Sequence, residues 1–263
     1  MRVHYVRLAR HLLRVQVMND LQYRANFFIQ LFHSALAVIA AVAGVLLVYR
    51  HISELNGWSR MEMFVLLGVF TMVSGLLRVF VRPNLYRMAT DINRGSLDFV
   101  LTKPVDAQLL LSIRQVDVWQ GTNVLAGAGL VTAGVLGSSS RTGPVDLLLF
   151  ALTAAVGLFI LYCFLFSLVC TAFWLVDITE VVALFESVYE ASRWPLTIYP
   201  SWLRYALTFV VPVGFAVTLP AEAVTARLSM TAVAVELCFA VAAFWLTRRF
   251  FHSGLRRYSG ASA

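Results

Sequence analysis

Long apolar runs limit what this chain can fold into. The first run, from Phe27 to Tyr49, has 23 residues and no charged side chain. An α-helix needs about 20 apolar residues to cross the hydrocarbon core of a bilayer. Of the 263 residues, 60% are hydrophobic and 13% are charged, whereas a soluble domain has about 25% charged residues. One soluble core cannot hold so many apolar side chains, so the sequence predicts an all-α membrane protein.

Six membrane-spanning helices are predicted within residues 27–250. Five of them follow the apolar runs at 27–49, 63–81, 118–136, 147–176 and 228–247. The run at 147–176 has 30 uncharged residues, more than one crossing requires, so this helix is expected to tilt or to extend beyond the bilayer.

Residues 177–227 permit two positions for the fifth helix. Hydropathy alone places it at Tyr205 to Ala221. The alternative places it near 178–196 and makes the following proline-rich stretch a re-entrant segment. Proline disrupts a helix interior, and broken helices survive at membrane depth only where protein or a water cavity surrounds them. Both alternatives give six crossings.

Basic residues indicate the orientation. Residues 1–26 contain five arginines, and four of the basic side chains in this segment fall on one helical face, so an amphipathic interfacial helix is expected there. The stretch 78–114 contains six basic residues, whereas the loops at 50–60 and 137–146 contain two and one. The positive-inside rule therefore places residues 1–26, the loop 82–107 and the tail 251–263 in the cytoplasm. Six crossings agree with termini on the same side.

Sequence motifs for catalysis are absent. The only lysine, Lys103, is followed by proline and no glycine directly precedes it, so it cannot belong to a phosphate-binding loop. G-x-S-x-G and H-E-x-x-H do not occur, and no residues have metal-ligand spacing. The basic residues lie beside apolar runs, which is the pattern of membrane topology rather than of nucleic-acid binding. We therefore expect no enzyme activity, no bound metal and no nucleic-acid partner.

The loop 82–107, RPNLYRMATDINRGSLDFVLTKPVDA, is unusually apolar for a cytoplasmic segment. Residues 86–93 form a short amphipathic stretch, and Gly95 is a suitable C-cap. Two functions fit this pattern equally well: a short helix that docks into a groove on a cytoplasmic partner, or a loop that lies on the bilayer surface.

Four stretches resemble a known family. Tyr23 to Phe28 resembles the entry to helix one, Asn56 to Met63 the segment before helix two, Ile92 to Val105 the cytoplasmic loop, and Pro195 to Pro212 the region after helix five. Together they resemble the permease subunit of ABC-2 type ABC exporters, in the subgroup of this length with six spans. The acidic string from Asp177 to Glu190 departs from that pattern.

The resemblance implies an exporter of the bacterial plasma (inner) membrane, built from two permease chains and two cytoplasmic ABC ATPase subunits. The second permease would be the same chain or a paralogue. ATP and magnesium would bind to the ATPase, and this chain would bind no cofactor. The helix at 1–26 would lie near the ATPase, and 82–104 would be the coupling helix. Its expected coupling residues are Tyr86, Ile92, Arg94, Gly95, Leu97, Asp98 and Phe99. The resemblance also favours the re-entrant alternative.

Ionisable residues inside the spans are candidates for the translocation path. Glu236 lies in the middle of helix six, where an unpaired charge costs about 2.5–3.5 kcal/mol, so it must be protonated, paired or facing a cavity. Glu180, Glu186 and Glu190 are similarly placed if 178–196 is a span. One interpretation is a path for a cationic or amphipathic substrate, and the other is structural pairing with Arg78 or Arg193. His33 is a further candidate, although its position suits a helix–helix hydrogen bond better.

Two other classes of protein remain as alternatives. An ion-driven secondary transporter would need inverted internal repeats, and none is detected. An intramembrane enzyme would need a convergent nucleophile and base or a metal set, and none is found.

Overall fold

The computed structural model describes residues 24–138, 142–175 and 179–258, and helices dominate this part of the chain. It is an all-α membrane protein, as predicted. The expected N-terminal amphipathic helix and the end of the tail lie outside the described residues. The α-helices are α1 Arg24–Val48, α2 Arg60–Leu76, α3 Arg82–Asn93, α4 Asp98–Leu101, α5 Ala107–Ser112, α6 Gly121–Gly137, α7 Pro144–Cys170, α8 Thr179–Glu190, α9 Ser201–Tyr205, α10 Leu219–Val224 and α11 Met230–Leu255.

Short irregular helices join these elements. The π-helical turns are Leu77–Val81, Ala206–Val210 and Gly214–Thr218, and the 3-10 turns are Val118–Gln120, Thr171–Phe173, Ala191–Arg193 and Leu196–Ile198. Two short antiparallel strands, β1 Glu54–Leu55 and β2 Trp58–Ser59, form a hairpin between α1 and α2. Asn56 and Gly57 make its turn with φ of 48° and 80°, as expected of an Asn-Gly hairpin.

Four continuous helical segments are long and apolar enough to cross a membrane: Phe28–Val48, Arg60–Asn93, Pro144–Phe173 and Met230–Leu255. They confirm four of the predicted helices. The second is longer than predicted, because α2 continues through the π-helical turn into α3 without a break. Pro83 directly follows the π-helical turn, and such local π adjustments accommodate a residue without an N–H within a continuous membrane helix. The predicted loop 82–107 therefore begins as helix.

The bundle has two ends, which we name by their features: the hairpin end carries β1 and β2, and the loop end carries residues 94–106. The proline-rich stretch forms two helical arms, Ser201–Val210 and Gly214–Val224, bent by 87°. Before the arms, the Thr197 carbonyl accepts a 2.9 Å hydrogen bond from Asn56 Nδ2 beside the hairpin. After the arms, Arg227 forms a 2.7 Å ion pair with Glu62, which also lies beside the hairpin. The chain enters and leaves at the hairpin end, so the arms are re-entrant.

Residues 179–198 connect the two ends instead. Glu186 in α8 pairs with Arg82 toward the loop end, Tyr189 contacts Phe70 in the middle of α2, and Thr197 reaches the hairpin end. This arrangement supports the alternative near 178–196, and a fifth helix at 205–221 is wrong. Hydropathy alone did not identify this crossing, because the acidic side chains of α8 lower the mean hydropathy of the segment.

Glycines allow α2 and α6 to pack closely. A Cβ built on Gly127 of α6 would lie 2.5 Å from the backbone nitrogen of Met72, and one on Gly68 of α2 would lie 2.6 Å from that of Val131. Gly75 and Gly134 make similar contacts along the same pair. Small residues allow helix backbones to approach closely within a bilayer. Close packing matters there because lipid is as apolar as the side chains, so burying those side chains gives little free energy. With its preceding 3-10 turn, the helical stretch at 118–137 runs antiparallel to α2.

Candidate functional site

Five charged side chains follow one line along the α2–α3 helix and α8. We call this line the charged groove, and it consists of Arg78, Arg82, Glu186, Glu190 and Arg193. Two adjoining cavities share Arg78, Glu190 and Ser74. One cavity lies nearer the loop end and the other nearer the middle of the bundle. The wall of the second cavity includes residues of α1 and α6.

Ion pairs organise the charged groove. Arg82 Nη1 lies 2.9 Å from Glu186 Oε1, and Arg193 Nη2 lies 2.6 Å from Glu190 Oε2. The Arg193 guanidinium also lies 5.3 Å from the centre of the Phe70 ring, within cation–π distance. In the part of the chain that the structure describes, the buried Nε atoms of Arg78 and Arg193 make no hydrogen bond. The groove therefore keeps unused donors close to paired carboxylates.

The sequence of α8 explains why its carboxylates line the groove. Phe185 and Tyr189 are four residues apart and buried, because one helical face packs on the core. The Tyr189 ring stacks on Phe70 with 5.1 Å between centroids, and its hydroxyl lies 3.3 Å from Ser74 Oγ. Glu186 and Glu190 each follow one of these anchors, so they flank the packed face.

The predicted translocation residues have separate positions. Glu186 and Glu190 line the charged groove, and both are paired. Pairing of Glu190 with Arg193 agrees with the structural alternative, whereas the partner of Glu186 is Arg82 rather than Arg78. Glu180 is exposed near the start of α8, and His33 lies on the exposed face of α1.

Glu236 is buried in α11 at 1% exposure, and α11 packs on α7. Neither of its carboxyl oxygens has a hydrogen-bond partner among the described residues. It does not line the charged groove. The structure thus brings two of the five predicted path candidates together.

The sequence analysis interpreted Arg82 only as a topology signal, and it named Arg78 only as a possible pairing partner of the glutamates. Their spacing held more information: Arg78 and Arg82 are four residues apart, as are Glu186 and Glu190. Such spacing places each pair on one helical face. A second missed residue is Asn84, which is buried and bonds to Phe80 and to both backbone groups of Gln115. It fixes the start of α3 against the segment before α6.

The turn after α3, residues 94–97, is the second candidate site, and we call it the Gly95 turn. Gly95 has a φ of 71°, so the prediction of a glycine C-cap is confirmed. The Ser96 N–H donates to the Asp91 carbonyl over 2.9 Å, and Arg114 Nη1 lies 2.6 Å from Asp91 Oδ2. These contacts hold the turn in one conformation.

Exposure divides the predicted coupling residues into two groups. Tyr86, Arg94 and Phe99 are exposed, with Phe99 at 77%, and Gly95 and Asp98 are half-buried. Ile92 and Leu97 are buried, so neither side chain presents a surface to a partner. The turn rotates Leu97 into the core together with Val100.

A tyrosine that follows the last helix supports the Gly95 turn. The Leu97 N–H donates to the Tyr258 hydroxyl over 3.0 Å, and the Tyr258 ring lies against Phe173 at the end of α7. Burial raises the pKa of the Tyr258 phenol. The turn is thus connected to the chain beyond α11.

A family model matches most of the chain. Its description is ABC-2 family transporter protein, and the match covers residues 35–262, from α1 through α11. No curated protein and no solved structure matches the chain significantly.

Proposed function

Since the chain belongs to the ABC-2 transporter family, we propose that it is the permease subunit of an ATP-binding cassette exporter in a bacterial plasma membrane. It forms the substrate path, and two separate cytoplasmic ATPase subunits bind ATP and magnesium and supply the work. A second permease, identical or paralogous, completes the assembly. The observation that carries this proposal is the charged groove, which lies between spans of a protein from a transport family.

The charged groove is suited to a substrate path because ionisable groups within a bilayer are costly and usually mark such paths. Its ion pairs keep both signs of charge available at low cost. Phe70 and the α1 side chains add apolar surface next to the charges. An amphipathic substrate with a charged group would find partners for both parts there.

The second permease would complete the path from the side of α1. This helix contributes one wall of the cavity nearer the middle of the bundle. Its other faces are apolar and exposed at Phe28, Phe32 and Ile39. In the assembly, these faces would contact lipid or the second permease.

The Gly95 turn is suited to coupling with the ATPase. It lies at the loop end, which carries the excess of basic residues and which we place in the cytoplasm. Phe99 and Tyr86 present aromatic surface, and Arg94 presents a charge for charge-assisted bonds to a partner. The buried Leu97 and Tyr258 would transmit movement of the turn to α11.

Replacement of the groove charges tests the proposed path. Proteoliposomes with the permease and its ATPase would be assayed for ATP-dependent transport of a fluorescent amphipathic cation. We expect the double variant Arg78→Gln, Glu190→Gln to lower transport about tenfold or more, because loss of a charged partner costs about 1.5–3 kcal/mol. ATP hydrolysis should persist, since the groove lies away from the Gly95 turn.

The double variant Arg50→Gln, Glu54→Gln removes one charge of each sign at the exposed hairpin end and is the matched control. It should transport like the wild type. If the Arg78, Glu190 variant transports as well as this control, the charged groove is a structural feature and not the path.

A further inference from the structure

The last helix is longer than the bilayer is thick. α11 has 26 residues, which at 1.5 Å each gives a length of about 39 Å, against a hydrocarbon core of about 30 Å. It begins at the hairpin end, where the Arg227 guanidinium donates to the Gly57 carbonyl beside β2. It ends at the loop end, where Arg248 pairs with Asp106. Its last turns therefore lie at the depth of the lipid headgroups on the loop side.

Four basic side chains occupy these last turns. Arg248, Arg249, His252 and Arg256 line one shallow surface depression, which we call the α11 basic cluster. Arg248 is paired with Asp106 over 2.8 Å, and His252 Nδ1 lies 2.7 Å from the Arg248 carbonyl. Arg249 and Arg256 are exposed and have no ion pair among the described residues. The cluster therefore holds cationic groups that no described residue of the chain neutralises.

The cluster continues a lipid-facing apolar stripe. Trp245 also lines the depression and is 60% exposed, and Val241, one turn earlier, is 61% exposed. The spacing from 241 through 245 and 249 to 252 and 256 keeps all five side chains on one helical face. Tryptophan is enriched at the boundary between hydrocarbon and headgroups, so Trp245 marks that depth.

We propose that the α11 basic cluster binds the phosphate headgroup of an anionic phospholipid in the leaflet at the loop end. Arg249 and Arg256 contact the phosphate, and an acyl chain lies along Trp245 and Val241. Basic residues at this depth attract anionic lipids, and arginine forms bidentate bonds with phosphate oxygens. An acidic protein surface would also match the charge, but the continuity with the apolar stripe favours a lipid.

Native mass spectrometry of the full-length chain in neutral detergent tests this site. The titrated probes are phosphatidylglycerol and phosphatidylcholine with the same acyl chains. The wild type should bind one phosphatidylglycerol more tightly than phosphatidylcholine. The double variant Arg249→Gln, Arg256→Gln should weaken phosphatidylglycerol binding about twenty-fivefold, at about fivefold for each arginine, and weaken phosphatidylcholine binding less, because the choline offsets the phosphate charge.

The double variant Arg50→Gln, Arg60→Gln removes two exposed charges at the hairpin end and is the matched control. It should retain the preference for phosphatidylglycerol, which separates a local site from the effect of net charge. Equal loss in both double variants would overturn the proposal. So would displacement of the lipid by inorganic phosphate at equal concentration, which would indicate a site for a free anion.

The proposal would also be overturned if the Arg249, Arg256 variant kept its preference for phosphatidylglycerol. If that variant also failed to co-purify with the ATPase, the cluster would be a protein-docking surface. The outcome is independent of the charged groove, because these two arginines lie on a different helix from its members.

Discussion

At the scale of single residues, Gly95 has the most specific conformational role. Its φ of 71° lies in the left-handed region, where a residue with a Cβ is strained and a β-branched one is a rare outlier. The Asp91 contacts on one side and the Leu97–Tyr258 bond on the other leave the turn little freedom to relax. Strain introduced at Gly95 should therefore distort the exposed surface near Phe99.

We expect Gly95→Val to keep the spans inserted and to separate ATP hydrolysis from transport, or to lose the ATPase. Membrane vesicles with the variant and its ATPase would report hydrolysis and export together. Gly44→Val is the control, since a Cβ there meets nothing within 4 Å and Gly44 lies within α1. Normal coupled export by the Gly95 variant would show that the turn is only a connector.

Sequence analysis identified the turn but not the direction of its side chains. A glycine after an amphipathic stretch indicates a C-cap, because this is a local backbone requirement. The Leu97 N–H bonds to Tyr258, which is 161 residues away, and no local pattern contains that contact. The spacing between Glu190 and Arg193 is likewise visible in the sequence. The cavity that Glu190 lines is not, because residues of α1 and α2 form its other walls.

At the scale of elements, apolar runs predicted α1, α7 and α11 because uncharged length is sufficient to identify a lipid-facing helix. The crossing that includes α8 was ambiguous because acidic side chains interrupt its apolar sequence. The end of the second helix was also misplaced. Hydropathy falls at Arg82, but backbone hydrogen bonding continues through Asn93.

The contact between α2 and α6 gives the element-scale prediction. Gly127→Val should destabilise the protein by about 1–3 kcal/mol, because a Cβ there would lie 2.5 Å from the Met72 backbone and a backbone cannot move aside cheaply. Gly129→Val is a close control in the same helix, since a Cβ at that exposed position meets nothing within 4 Å. Thermal unfolding in detergent would compare the two variants. Equal midpoints would mean that the glycine contact does not determine stability.

At the scale of the whole molecule, the re-entrant arms, the charged groove and the Gly95 turn follow one another from the hairpin end to the loop end. This order fits a path that a partner at the loop end controls. Composition and family motifs predicted the membrane class, but the family alone does not locate the path. The charged groove forms where α8 packs beside the α2–α3 helix, and the sequence does not show that contact.

The most direct test of the central claim is transport by the purified chain with and without an ABC ATPase. A candidate ABC ATPase subunit from the same genome would be co-expressed, and uptake of the fluorescent amphipathic cation into proteoliposomes would be measured with ATP or with an imposed ion gradient. We predict that the ATPase co-purifies and that uptake requires both ATP and the ATPase. Uptake by the chain alone under an ion gradient, without ATP, would contradict the account and support a secondary transporter.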